Sequence, residues 1–151
     1  MKSFACESDR AELLTRLKTV RENSRRQWGV MTPHQMVCHL GDAFLMMLGE
    51  RWASDATGLV QRTLIKWIAL YAPIHWPAGI PTLPEVDQMV GGTKPEEFLA
   101  DLAKVEALMA RAASAVDCAT RTHPIFGRMS QAAWMRWAYL HTDHHLRQFG
   151  A

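Results

Sequence analysis

Trp134-Met135-Arg136-Trp137-Ala138-Tyr139-Leu140-His141-Thr142-Asp143-His144-His145-Leu146-Arg147-Gln148-Phe149 reads as an α-helix with an unusual inner face. Residues four apart on a helix lie one turn above the other on the same side. At about 100° per residue, Trp134, Trp137, Ala138, His141, His145, Gln148 and Phe149 share one wide stripe, while Arg136, Asp143 and Arg147 fall opposite. The wheel places His141 and His145 toward a core, His144 on the flank at the edge of a helical bundle, and Asp143 in water. Two buried imidazoles one turn apart need a partner, and a metal ion serves both.

Helical periodicity extends over most of the chain, and no run alternates convincingly as a strand. A first helix is expected to open at Asp9, with Glu12 reaching back in a capping box, to turn Leu13, Leu14, Leu17 and Val20 inward, and to end at Asn23 and Ser24. Thr32-Pro33-His34-Gln35 is the clearest start: a threonine cap, proline at the first helical position and glutamine at the capping-box position. That helix is expected to stop at Gly49. A third segment runs from about Gly58 to Ala72 and ends before Pro73, because a residue preceding proline disfavours the helical region. A fourth is expected from Pro95-Glu96-Glu97 to Ala115. Asp117 to Arg128 reads as a loop, and Ser130 caps the last helix, which ends at Gly150.

Between the third and fourth helices, Pro73 to Thr93 holds four prolines and three glycines together with Trp76, Ile80, Leu83 and Val86. Connections of this length in a small domain are usually lids, binding loops or disordered. Its apolar residues suit a wall or lid over a pocket, or packing on the outside of the bundle.

The 151 residues make one domain, 1–151, large enough to bury about 70% of its surface without staples. A net charge of +2, with only Arg21, Arg25 and Arg26 as a tight basic group, argues against a nucleic-acid partner. The most apolar window, Leu59 to Ala72, is too short for a bilayer and carries Arg62 and Lys66. Cys6, Cys38 and Cys118 form neither a disulfide framework nor a thiolate zinc pattern. With no signal-type stretch from Met1 to Arg10, the expectation is a cytoplasmic protein.

Neutral imidazole ligates zinc, nickel, iron and manganese, and a metal on three protein ligands keeps an open position for water or substrate. Helical bundles build such sites from facing helices. His39 is the candidate third ligand, since it shares one side of the second helix with Gln35, Asp42, Ala43 and Met46. The pattern is not that of a zincin metalloprotease, because Thr142 stands where the general-base glutamate would be. Asp42, one turn from His39, is a candidate to orient an imidazole or act as a base. Gln35 and His144 are further candidates, although capping already explains Gln35. Cys38 is rotated away from His39 and reads as a small packed hydrophobe. His123 before Pro124 reads as a loop constraint.

The stretch Trp28 to Asp42, with Thr32-Pro33-His34-Gln35 and His39 inside it, together with His123-Pro124-Ile125-Phe126-Gly127 and His141 to Phe149, resembles the DinB/YfiT-like superfamily of metal-dependent enzymes. The likeness spans most of the chain. It implies an all-α, DinB-like four-helix bundle, here with an additional short helix and the long Pro/Gly-rich loop. Its metal is typically held by one histidine on the second helix and a His-x-x-x-His pair on the last, which correspond to His39, His141 and His145. The resemblance leaves the reaction open: some members are transferases that use low-molecular-weight thiols, one is a thiol-dependent isomerase, and many have no known activity. The reading is of one divalent transition metal (zinc, nickel, iron or manganese), with a low-molecular-weight thiol as a second cofactor under the thiol-dependent alternative, in a transferase or hydrolase acting on a small molecule. The rival is a non-enzymatic homodimeric interaction or stress protein with structural histidines.

Overall fold

Pro33 begins the central helix of the molecule for the reasons its sequence suggests. In the computed structural model, which describes residues 1–115 and 117–151, Thr32 Oγ1 accepts from the Gln35 amide at 3.1 Å and Gln35 Oε1 accepts from the Thr32 amide at 2.8 Å. This satisfies two amide donors that a helix start leaves over. The helix, α2 (Pro33–Leu48), stops at Gly49, whose φ of +77° is the left-handed conformation that glycine tolerates best.

Four further helices complete the described residues, of which helix makes up 53%. They are α1 (Glu7–Leu17), α3 (Lys66–Tyr71), α4 (Phe98–Ala113) and α5 (Gln131–Gln148). Ser130 Oγ caps α5 by accepting from the Ala133 amide at 3.2 Å, as expected. α3 continues from a π-helical turn, Gln61–Ile65, and ends before Pro73.

Several boundaries differ from expectation. α1 opens at Glu7 after Cys6, without a side-chain cap, because Asp9 instead accepts from the Ser3 amide at 2.8 Å and Glu12 pairs with Lys2. It ends at Leu17, where the chain tightens so that Val20 still folds into the core. α4 begins at Phe98 rather than near Pro95, since Glu97 is extended and its carboxylate accepts from the Leu99 and Ala100 amides. The expected loop from Asp117 to Arg128 contains a small antiparallel hairpin, β1 (Thr122–His123) and β2 (Gly127–Arg128). His123 makes that turn: its Nδ1 accepts from the amides of Ile125 at 3.1 Å and Phe126 at 3.2 Å.

Helix α2 lies against α4 on one side and α5 on another, while α1 and α3 cover other faces of α5. The shared core holds Met36, Leu40 and Met47 from α2 with Leu13, Leu17 and Trp134 from its neighbours, all inaccessible to solvent. Each such side chain contributes about 1.5–3 kcal/mol of burial energy. Because α5 has neighbours on several sides, its charged face is not simply solvated. Asp143 pairs with Arg16 of α1 at 2.7 Å and with Arg147 at 2.9 Å, and Arg136 donates to the Leu70 carbonyl of α3 at 3.0 Å. Burial opposes ionisation of Asp143, but the two arginines hold its pKa below the usual value.

The 73–93 connection is pinned from within. Asp42 is fully buried and accepts from Gln88 Nε2 at 2.8 Å, the Thr93 amide at 2.9 Å and Thr93 Oγ1 at 2.6 Å. Arg51 pairs with Asp42 at 3.0 Å and donates to the carbonyls of Glu85 and Gly91 at 2.7 Å each. At Gly92 a Cβ would stand 2.7 Å from the Asp87 carbonyl carbon, so the turn closes only around glycine.

Candidate metal centre

Three imidazoles from two helices converge where this clamp meets the core. His39 of α2 and His141 and His145 of α5 offer nitrogen atoms that all lie within 4.8 Å of one another. His39 and His145 are buried and His141 is partly exposed, at the side facing the cavity described below. His39 Nε2 and His141 Nε2 stand 3.2 Å apart. Two nitrogens bound tetrahedrally at 2.0–2.1 Å are about 3.3 Å apart, so this spacing suits a shared zinc-sized ion.

The outer nitrogens of two of the rings are already oriented. His39 Nδ1 donates to the Val86 carbonyl at 2.8 Å, and His145 Nδ1 donates to Gln148 Oε1 at 3.0 Å. The Gln148 amide cannot turn over without loss, because its Nε2 donates to the Trp28 carbonyl at 3.0 Å. In each ring the proton therefore sits on Nδ1 and the Nε2 lone pair faces inward, the arrangement that ligating histidines adopt. His141 stacks on Trp137, with ring centres 4.8 Å apart and planes at 20°.

Electrostatics keep the cluster neutral. Burial lowers the pKa of His39, partly countered by the Val86 carbonyl. His141 and His145 lie well below the ordinary value, first through burial and then through repulsion from the neighbouring imidazoles. Neutral rings are the form that binds a metal.

A cavity of about 410 Å³ adjoins the three rings. Ile65, Ile68 and Ala69 of the π turn and α3 form one wall, and Trp76, Ile80 and Leu83 of the 73–93 connection form another. The connection is thus a wall of the pocket beside the histidines, as its apolar content suggests. Trp76 is fastened by its indole N–H to the Ala69 carbonyl at 2.7 Å.

The remaining sequence candidates fall in different places. His144 is buried rather than partly exposed, because Trp28 and Trp76 flank it at ring distances of 5.7 and 6.0 Å. It lines the cavity, and burial followed by repulsion from Arg147 lowers its pKa to about 4. Asp42 makes no hydrogen bond to His39; its oxygens are taken by Gln88, Thr93 and Arg51. Gln35 serves its capping box and donates to Met89 Sδ at 2.8 Å. Cys38 is buried away from the triad, and burial followed by the Asp101 charge raises its thiol pKa to about 12. His34, Cys38 and Asp101 also come within ligand range of one another, but Lys104 Nζ already lies 2.9 Å from Asp101 and His34 Nε2 2.8 Å from it. That group ties α2 to α4 through the His34–Asp101 hydrogen bond, beside a Lys104–Asp101 ion pair within α4.

The orienting groups escaped the sequence. Gln148 stood on the correct stripe, three residues from His145, and that spacing was the available signal. The carbonyls of Val86 and Trp28 carry none, since every residue has one.

A family described as a protein of unknown function, DUF1569, matches residues 9–151. The chain belongs to that family. Nothing among curated proteins or solved structures matches it.

Proposed function

We propose that this DUF1569 chain is a metal-dependent enzyme built on a DinB/YfiT-like four-helix bundle, with α1, α2, α4 and α5 as the bundle and α3 as the additional short helix. His39, His141 and His145 would hold one divalent transition metal: zinc, nickel, iron or manganese. The observation that carries this reading is the convergence of three neutral imidazoles, two of them with outer nitrogens fixed on carbonyl acceptors. A metal so held supplies Lewis acidity and lowers the pKa of a bound water or thiol.

Val86 and Gln148 orient the ligand rings, Trp137 stacks against His141, and mostly apolar walls border the reacting centre. Transferase or hydrolase chemistry on a small molecule fits this layout, with a low-molecular-weight thiol as co-substrate in the transferase case. Asp42 does not enter as a base, since its carboxylate is committed to the clamp. Three free cysteines suit a reducing, cytoplasmic setting, and among the described residues no helix is long and apolar enough to cross a membrane.

Tag-free protein, purified without chelator, tests the assignment by metal analysis. About one ion per chain is expected, and His39→Ala, His141→Ala and His145→Ala should each lose most of it. Stoichiometric metal in the triple variant would refute the triad.

One observation favours a second reading, the dimeric interaction module. Leu59, Leu64, Trp67 and Tyr71 around α3 are 80%, 57%, 60% and 41% exposed, an apolar surface of the kind that marks protein contacts. A dimer by sedimentation, with no metal bound, would favour it.

A further inference from the structure

The chemistry of the cavity walls narrows what could occupy the space. Its volume of about 410 Å³ lies at the small-ligand end of the usual range, about 300–1,000 Å³. Apart from the histidines, its described lining includes no Lys, Arg, Asp or Glu, and Thr82 supplies the one hydroxyl side chain. The Trp76 indole N–H is used by the Ala69 carbonyl and the Val86 carbonyl by His39, while His123 Nε2 and His144 Nδ1, on two further lining rings, are buried without a partner among the described residues. The rim is apolar as well, since Ile65, Ile74 and Ile80 line the cavity while remaining 42%, 57% and 53% exposed.

Away from the proposed metal, a carboxylate or an ammonium group would therefore leave water without meeting an opposite charge, and burying an unpaired charge is costly. A hydrocarbon body meets no such cost and gains from each methylene buried. The polar part of the lining is imidazole: three rings converge with their nitrogens within 4.8 Å of one another, and His123 and His144 add two more that burial disfavours in the charged form.

We infer that the cavity receives a small molecule with an uncharged, apolar body and a single oxygen- or sulfur-donor head directed at His39, His141 and His145. The head rests on the proposed metal; the apolar body rests on the walls alone. Thiols bearing several charges, of the glutathione kind, are poor fits for the apolar walls. The long connection thereby becomes a specificity wall: Trp76, Ile80 and Leu83 select the body while α2 and α5 bind the head.

Isothermal titration calorimetry of the full chain loaded with Zn²⁺ tests this with acetohydroxamate, butyrohydroxamate, hexanohydroxamate and octanohydroxamate, and with glutathione as the charged competitor. Affinity should rise by up to about fourfold per methylene until the cavity is filled. Glutathione should bind more weakly than octanohydroxamate. Ile80→Glu, at an exposed rim position that puts the fold at little risk, should abolish most of the gain with chain length. The metal-free protein titrated with butanol, hexanol and octanol should show a similar dependence on chain length. Failure of the protein to take up Zn²⁺, with the alkanol dependence intact, would remove the metal-directed head and leave the apolar body supported. Affinity independent of chain length in both series, or glutathione binding tighter than octanohydroxamate, would overturn the inference.

Discussion

His39 Nδ1 donates to the Val86 carbonyl at 2.8 Å, so a side chain of α2 is oriented by the backbone of a connection 47 positions further along. The bond joins the candidate metal centre to the wall of its pocket. It also makes the clamp at Asp42 and Arg51 a support for the site, because that clamp holds the chain on both sides of Val86.

Loss of the clamp should therefore cost stability first. Asp42→Ala leaves the Arg51 guanidinium and the Gln88 amide without their buried acceptor, and removing one partner of a buried pair typically costs about 3–5 kcal/mol. A urea melt should show a lowered midpoint. Metal affinity should fall with it and recover at saturating metal; a full loss of activity with the melt unchanged would instead mark Asp42 as a participant in the chemistry.

Gln148→Leu removes the acceptor that holds His145 and the tie to Trp28, while preserving bulk. Outer partners of ligating histidines are commonly worth about 10–100-fold in metal affinity. Competition against a chromophoric chelator should show a loss of that order, with circular dichroism unchanged. Unaltered affinity would mean that His145 is held by its packing alone.

Metal release in acid should be steep. Bound imidazoles must be neutral, the free histidine pKa is about 6.5, and the metal lowers the apparent value further. Dialysis across a pH series should show release below that pH, with a proton dependence greater than one. A single-proton dependence would mean that one histidine alone holds the ion.

His123 gives the fold its own acid sensitivity. Burial lowers its pKa to about 3, and its Nδ1 is committed as an acceptor to two amides. The unfolded chain therefore binds the proton more readily than the folded one, and stability is lost as the pH falls from about 6.5 toward about 3. His123→Asn keeps an acceptor for the turn amides but does not titrate. Its unfolding free energy should fall less steeply across that window, measured by urea melts on metal-free protein; an unchanged slope would show that His123 takes up its proton alike in the folded and unfolded chain and that other groups cause the loss.

How much was legible follows from the range of the interactions. The Thr32–Gln35 box, the Gly49 stop and the Ser130 cap act within one helical turn, and residue identity at fixed spacing states them outright. The Asp9–Glu12 box had the same spacing but lost Asp9 to the Ser3 amide and Glu12 to Lys2, so a local signal yielded to competing partners. Likewise, the helical wheel aligned His141 with His145 correctly but left His144 at an edge and Asp143 in water. A wheel registers one helix and cannot register the Trp28 and Trp76 rings over His144 or the Arg16 guanidinium on Asp143.

By itself, then, the sequence determined the helical periodicity, the ends of α2 and α5, and the presence of three histidines on inward faces of two helices, because each depends on spacing along one segment. The tertiary structure alone decided that those faces meet, that the Val86 carbonyl and the Gln148 amide orient two of the rings, and that the Pro/Gly-rich connection walls an uncharged cavity beside them. These depend on how far apart non-neighbouring backbones come to rest, which is set by core packing and by the buried Asp42–Arg51 clamp rather than by any pattern within a single stretch of chain.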